Sequence, residues 1–493
     1  MQAFQALKIL GKNREDYQFA DFALRGLSLD SRTVALDYCF VAINGANRDG
    51  SGFIQAAIDK GARLIVYEQD NKPVKLKAAD RVVFVEVDNA RISAGKLAAE
   101  YFHNPGAKLN SIGITGTNGK TTISYLIEHI LRTNGLNSGI IGTIQYKISD
   151  HIVPAINTTP DAIKLQHLLR QMVEHNLSHN IMEVSSHALD QHRVEGIKFK
   201  TAVFTNLTHD HLDYHKTREE YFAAKATLFS GLSIDSTAII NSDDPYAEKL
   251  KQLTKAKVIS YAVNDKTAEI RAKDIVLDLT KTSFTLVWDK TEYLIQTNLI
   301  GRYNVYNLLA AIGAAMAEGI SISQIKASLK TIEQVRGRLE RIKHDQGFEV
   351  FIDYAHTDDA LRNVLSTLRE LKPNQLITVF GCGGDRDQKK RGLMGNIASR
   401  LSDFVILTND NPRSEDPLRI IEQIKSGFLE QFKAYEIIPQ RDKAIQRACG
   451  LAGQRDFVLI AGKGHETNQV FKDKTIEFDD KKIALKFLTE NGQ

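Results

Sequence analysis

Two hydrophobic rhythms run along this chain, and the places where one gives way to the other mark its parts. Short β-branched or apolar runs read as buried strands at Arg63 to Tyr67, Ile112 to Thr115, Asn180 to Val184, Thr201 to Leu207, Thr237 to Asn241 and Val258 to Tyr261. Segments with the 3.6-residue helical period lie between several of them, including Lys120 to Leu131. Tyr303 to Ala317 is nearly all apolar and predicts one long buried helix. After Arg336-Gly337-Arg338 the alternation restarts. Strands are expected at Glu349 to Asp353, Leu376 to Phe380, Phe404 to Thr408, Tyr435 to Ile438 and Phe457 to Ala461. Leu361, Val364, Leu365, Leu368 and Leu371 form one stripe on a helix between the first two.

Strands alternating with helices predict mainly parallel sheets covered on both faces. Turn signals at Asn104-Pro105-Gly106 and at Arg336-Gly337-Arg338 divide the pattern. The expectation is an α/β protein of three domains. Residues 1–107 form a small α/β domain, 108–340 a central domain like that of phosphate-loop ATPases with a parallel or mixed sheet, and 341–493 a Rossmann-like domain. A length of 493 residues suits that count at roughly 150 residues per domain.

Composition removes several alternatives. With 43% hydrophobic and 25% charged residues the chain is globular, not disordered. The net charge is only +4 and no basic stripe is present, so neither nucleic acid nor a membrane surface is an expected partner. Cys39, Cys382 and Cys449 are far apart and odd in number, which reads as reduced thiols in a cytoplasmic protein. The first residues show no secretory leader, and the most apolar stretch, Leu308 to Ile320, is too short to span a bilayer. A monomer is expected.

The strongest chemical signal is Ile114-Thr115-Gly116-Thr117-Asn118-Gly119-Lys120-Thr121-Thr122. A strand runs into a Gly-rich turn that opens a helix, so backbone N–H groups and the helix dipole face an anion. Lys120 would reach the β- and γ-phosphates of a nucleotide and the Thr121 hydroxyl would meet Mg²⁺. The strict spacing is missed by one position, since its first glycine falls on Ile114 and Gly113 stands one residue early. Polar groups close other strands: Glu183, followed by Ser185-Ser186-His187, and His211 in Asp210-His211-Leu212-Asp213. A carboxylate and an imidazole could complete a metal shell there, but His211 taken alone reads first as a solvated loop histidine. Lys225 sits among Tyr221, Leu228 and Phe229, and by pattern alone it is a surface lysine. Three further loops follow strands in the last third: Gly381-Cys382-Gly383-Gly384-Asp385-Arg386-Asp387, Asp410-Asn411-Pro412-Arg413 and Gly462-Lys463-Gly464-His465-Glu466. One shared site is plausible, with Arg391 and Arg413 each able to fork a carboxylate.

Together these motifs, from about Ser28 to Glu466, resemble the Mur ligase family of ATP-dependent amide-forming enzymes. More narrowly they resemble its branch that adds the third residue to UDP-N-acetylmuramoyl-L-alanyl-D-glutamate in cytoplasmic peptidoglycan precursor synthesis. The resemblance implies the following roles. Leu29, Ser31, Ala46, Asn47 and Arg48 would hold the UDP end, and Thr158, Thr159, Ser185, Gln191 and Arg193 the muramoyl peptide. Gly116, Thr117, Asn118, Gly119, Lys120, Thr121 and Thr122 would bind ATP, with Asn304, Arg338 and Asp353 facing the nucleotide and His356 beside them. Thr121, Glu183 and His211 would serve Mg²⁺, joined by Lys225 as a carbamate; Lys120, Lys225, Glu183 and His211 would be catalytic.

Arg391, Asp410, Asn411, Pro412, Arg413, Gly462 and Glu466 match a pattern for meso-2,6-diaminopimelate, whose second carboxylate distinguishes it from L-lysine. The expected amino acid is therefore diaminopimelate. The alternatives are the same ligase using L-lysine, or a phosphate-loop nucleotide switch without ligase chemistry. Asp358 and Gly392 stand where the family commonly has proline, which bears on loop stiffness.

Overall fold

The structure, a computed structural model, describes residues 1–45, 49–71, 81–208, 210 and 212–490. Its contacts gather into two compact units. The first comprises Met1–Gly113, Gly135–Ala202 and Gly231–Ser236; the second comprises Ile114–Asn134, Val203–Ser230 and Thr237–Gln493.

In the first unit, strands Gly26–Ser28, Tyr38–Val41, Ala62–Glu68 and Val83–Val87 form a parallel sheet in chain order. Cys39, Val41, Leu64, Val66 and Val85 point to one side, where they pack with Leu97 and Ala98 of helix Ala90–Tyr101. Phe40 and Ile65, one position out of phase, meet Ile54 and Ala57 of helix Ile54–Asp59. That alternation is the period of two expected of a sheet buried on both faces. Farther along the chain, Ser138–Ile141 pairs in parallel with His179–Glu183 and antiparallel with Gln145–Ile148, which pairs in turn with His151–Pro154.

In the second unit, Thr237–Asn241, Lys257–Ala262 and Ile270–Leu277 run parallel. An antiparallel meander through Thr282–Trp288 and Thr291–Thr297 extends them. Helix Arg302–Ala317 is buried along nearly its whole length. Gly313 lets it lie close against Ile239 and Ile270. A second sheet of this unit has six strands among the described residues. Glu340–Ile342 is antiparallel to Glu349–Asp353, and the order continues through Phe457–Ala461, Leu376–Phe380, Phe404–Leu407 and Tyr435–Ile437, all parallel. This is a Rossmann-like, doubly covered sheet. Its two faces pack separate cores, one around Phe351, Phe380 and Leu459 and one around Val350, Ile377 and Val458. Because the strands are parallel, the loops after Asp353, Phe380, Leu407 and Ala461 leave from one sheet edge, the carboxyl ends where such folds hold ligands.

No helix among the described residues is long and apolar enough to cross a membrane.

Candidate functional site

The phosphate loop begins where strand Asn110–Thr115 ends and helix Lys120–Thr133 has not yet started. Gly116 and Gly119 both take positive φ (145° and 90°), conformations that side chains disfavour. Space forbids a side chain as well. A Cβ on Gly116 would collide with the Thr205 hydroxyl, and one on Gly119 with the Asn307 amide oxygen. The loop is fastened from outside. Thr117 N–H donates to the Asn206 carbonyl at 2.8 Å, Asn118 N–H to Asn206 Oδ1 at 3.0 Å, and the Thr205 hydroxyl to the Asn118 carbonyl at 2.7 Å. Lys120 Nζ folds back onto the carbonyls of Gly116 (2.9 Å) and Thr117 (2.8 Å).

Lys225 corrects the surface reading of its pattern. It lies on helix Arg218–Ser230 and is 1% exposed. Its Nζ donates to the Gly116 carbonyl at 2.9 Å, the same oxygen that accepts from Lys120, and lies 4.5 Å from the Tyr221 ring centre. Burial, then the nearby Lys120 ammonium, push the Lys225 amine well below the ordinary lysine range, with Asp210 opposing. The helix turns this lysine inward because its reach ends on a loop carbonyl, a partner that periodicity does not reveal.

Around the loop, Arg338 donates from NH2 to the Thr121 hydroxyl at 2.9 Å and lies over the Tyr354 ring at 4.7 Å. Asn304 is turned inward: its Nδ2 donates to Ile300 O at 2.7 Å and its Oδ1 accepts from Asn307 at 2.8 Å. Asp353 accepts from Leu339 N–H at 2.6 Å and Ala355 N–H at 2.7 Å, so both its oxygens serve backbone. Burial dominates over these bonds and over Arg338, and raises its pKa to about 6. Burial likewise lowers His356 to about 4, so this imidazole is neutral at physiological pH. Asp359, near the start of helix Asp358–Glu370, accepts from Asn118 Nδ2 at 2.8 Å.

In the first unit a second cluster forms. Glu183, at the end of its strand, accepts from Thr143 N–H at 2.8 Å and from the Thr143 hydroxyl at 2.9 Å. The Thr143 and Thr158 hydroxyls are 3.0 Å apart. Thr159 donates to the Glu183 carbonyl at 2.7 Å and accepts from Ser185 N–H at 3.1 Å. Arg193 donates to the Thr159 carbonyl at 2.8 Å and to Gln191 Oε1 at 2.7 Å.

The three polar loops of the last third meet, and the buried cations in and beside them are paired. Arg391 is fully buried and forks Glu415 with two bonds of 2.8 Å. Lys463, also fully buried, meets Glu466 at 2.8 Å and Asn411 Oδ1 at 3.1 Å. Arg441 and Asp480 pair at 2.7 Å with neither exposed. Arg413 is different. Its NH1 donates to the Gly384 carbonyl at 2.7 Å, and it makes no close ion pair among the described residues, the Asp385 carboxylate being its nearby acid. Asp410 Oδ2 is buried without a hydrogen bond and faces Gly462, where a Cβ would strike it.

Three family matches cover this chain in order: the Mur ligase family catalytic domain over residues 23–107, the Mur ligase middle domain over 114–315 and the Mur ligase glutamate ligase domain over 337–464. A UDP-N-acetylmuramoyl-L-alanyl-D-glutamate--2,6-diaminopimelate ligase of Solibacter usitatus is 42% identical over 96% of this chain and 95% of its own. The chain belongs to the Mur ligase family. An Aquifex aeolicus protein of the same name is also 42% identical, over 97% of this chain and 96% of its own. A solved structure bearing that ligase name superposes with a TM-score of 0.71 at 33% identity, covering 99% of both chains.

In this Mur ligase the expected nucleotide residues Gly116 to Thr122, Asn304, Arg338 and Asp353 fall in the second unit together with Lys225 and the acceptor loops. Glu183, Thr158, Thr159, Ser185, Gln191 and Arg193 fall in the first unit. Leu29 and Ser31 lie there too, in the turn after strand Gly26–Ser28, where the Ser28 hydroxyl donates to the Asp30 carbonyl at 2.8 Å. Ala46, Asn47, Arg48 and His211 lie outside the described residues. Arg391 does not offer the open fork expected of it, because Glu415 fills that fork. Sequence reading missed Thr143, Thr205, Asn206, Asp359 and Glu415, whose contacts at these clusters join residues far apart in the chain. Only Glu415 carried a hint, two residues beyond Arg413. Of the two family prolines replaced here, Asp358 starts a helix capped by the Thr357 hydroxyl. Proline suits that first position through its fixed φ, and an acid suits it through the helix dipole. Gly392 has ordinary room for a Cβ, so packing does not demand glycine there.

Proposed function

We propose that this Mur ligase joins meso-2,6-diaminopimelate to UDP-N-acetylmuramoyl-L-alanyl-D-glutamate at the expense of ATP, as a monomer in the cytoplasm. The observation that carries the amino-acid assignment is the charge pattern of the acceptor loops. Three fully buried cations in or beside these loops are each paired with an acid, whereas the half-buried Arg413 makes no close ion pair among the described residues and would receive the carboxylate of an incoming ligand. L-Lysine lacks that carboxylate and would leave the guanidinium unpaired, a deficit that can reach about 10⁴-fold in selectivity. The relatives' printed names agree with this reading.

The reaction we infer has two steps. The γ-carboxylate of the D-glutamyl residue attacks the γ-phosphorus of ATP, forming an acyl phosphate and releasing ADP. The amine of diaminopimelate then attacks the acyl carbon, and phosphate leaves as the amide forms. Gly116 to Thr122 would cradle the phosphates, with Lys120 moving from its carbonyls onto the transferred group. Arg338 and Asn307, beside Thr121 and Gly119, would line the same nucleotide. Glu183, Thr158, Thr159, Ser185, Gln191 and Arg193 are assigned to the muramoyl peptide and its activation, and Leu29, Ser31 and residues 46–48 to the UDP end.

Magnesium suits, by donor chemistry, Thr121 and, once carbamylated, Lys225 of the second unit; Glu183 of the first unit and His211, outside the described residues, are the other donors the family resemblance implies. The observation behind the Lys225 carbamate is a buried amine held well below its usual pKa with no ion-pair partner among the described residues, the form that adds CO₂. Bound there, the ion would neutralise charge on the phosphates. The three tasks would divide the chain near residues 107 and 340.

The deciding assay follows ADP release by the purified chain with ATP and the muramoyl dipeptide. Release should require meso-diaminopimelate. A similar kcat/KM with L-lysine would overturn the amino-acid assignment, and release without any amino acid would favour a nucleotide switch. For Lys225→Ala, activity should collapse and recover partly with short carboxylates; full activity without them would refute the carbamate.

A further inference from the structure

Beyond the glutamate ligase match, which ends at residue 464, the chain makes a small hairpin. Strands Asn468–Val470 and Thr475–Glu477 pair antiparallel, closed by Phe471 N–H donating to the Lys474 carbonyl at 2.8 Å. A two-stranded hairpin is marginal by itself, so its order must come from what it touches. It touches the loop that carries Arg413 through Gln469 and Val470, and the neighbouring Gly462–Glu466 loop through Asn468. The Asn468 carbonyl accepts from Lys463 Nζ at 2.6 Å. Val470 N–H donates to Asn411 Oδ1 at 3.0 Å, and Arg413 N–H donates to the Val470 carbonyl at 3.1 Å.

Gln469 points the other way from its neighbours, into the loop, and is 3% exposed. Its Nε2 donates to the Asp410 carbonyl at 2.7 Å and to the Asn409 carbonyl at 3.4 Å. One amide thus holds two consecutive carbonyls, while the strand's backbone holds Asn411 and Arg413. The held conformation is not one Arg413 would take unaided, since its φ is 51°, in the left-handed region. With that backbone pinned, the guanidinium is aimed at the glycine loop, where its NH1 meets the Gly384 carbonyl.

We propose that Gln469, with its hairpin, sets the geometry in which Arg413 receives the distal carboxylate of the amino acid, and so is a positioning residue for amino-acid selection. This rests on the reading that a diaminopimelate-class ligand binds at Arg413. Gln469 does not touch the ligand; it acts through the Asn409–Arg413 backbone.

The test uses the purified full-length chain and three substrates. The variant Gln469→Met keeps the side-chain length and removes the donor. Its KM for meso-diaminopimelate should rise about tenfold, as for loss of one buried donor, and its preference over L-lysine should fall in step. Its KM for ATP and for the muramoyl dipeptide should stay within about twofold of wild type, a split that general destabilisation would not produce. In an Arg413→Met background the substitution should add little, because both changes act on one contact. If Gln469→Met does not fold, Gln469→Asn retains the amide but withdraws it by one methylene, and the same split is expected at smaller size. An unchanged KM for diaminopimelate, or equal losses for all three substrates, would overturn the proposal. A wild-type chain that shows no dependence on diaminopimelate would overturn the functional reading first, and this proposal with it.

Discussion

The phosphate loop and the acceptor loops solve opposite electrostatic problems. The first spans seven consecutive residues, and its binding groups are mainly backbone N–H at a helix start, opened by two glycines whose side-chain space is already taken. The second draws on three separate strand ends and pairs its buried cations, Arg391 and Lys463, with acids. An anion site made of backbone needs no compensation. A site made of buried guanidinium and ammonium groups does, because a buried charge without a partner is expensive.

The largest effect should come from the phosphate loop. Lys120→Ala is expected to lower kcat/KM about 10³-fold, measured by ADP release, with thermal stability nearly unchanged, since electrostatic stabilisation of the transferred group is lost. A mild effect would mean that the loop binds nucleotide without serving transfer.

Next come the matched cations of the acceptor loops, which should affect folding. Arg441→Met leaves Asp480 buried without its partner and should cost about 3 kcal/mol in urea unfolding. Arg413→Met should do the reverse. Stability should hold while kcat/KM for diaminopimelate falls about 10²-fold and the preference over L-lysine narrows, in line with loss of a charge-assisted pair. If Arg391→Met rather than Arg413→Met changed amino-acid preference without changing stability, the division between matched and unmatched cations would fail.

The smallest effect separates the two regions by pH. Asp353 stands between them, beside Arg338, and its carboxyl is raised to about 6 by burial. An acid with a raised pKa binds its proton more tightly folded than unfolded. Its favourable share is present at low pH and is lost as pH rises from about 4 through about 6. Asp353→Asn should therefore flatten this part of the stability profile, seen as a wild-type-minus-variant difference between pH 4 and 7. An unchanged difference would place Asp353 in a more solvated setting.

Much of the fold could be read from rhythm. The strands at 237–241, 349–353, 376–380 and 457–461 occur where their apolar runs stand. The helix at 120–131 extends only two residues farther. What rhythm missed is consistent. The antiparallel meander from Ile270 to Thr297 alternates buried and exposed positions imperfectly, with a bulge between Lys273 and Val276. The hairpin around Gln469 is three residues per strand, too short for a period to register.

By itself the sequence determined the α/β class, the phosphate loop and the set of polar strand ends. Those features depend on neighbours a few residues apart, and short-range patterns record them. Tertiary structure alone decided which charged groups are spent and which remain. Lys225 is buried with its amine on the Gly116 carbonyl, Arg391 is occupied because Glu415 reaches it, and Arg413 makes no ion pair among the described residues. Pairing of charges is a property of distance in space, and it is not written in spacing along the chain.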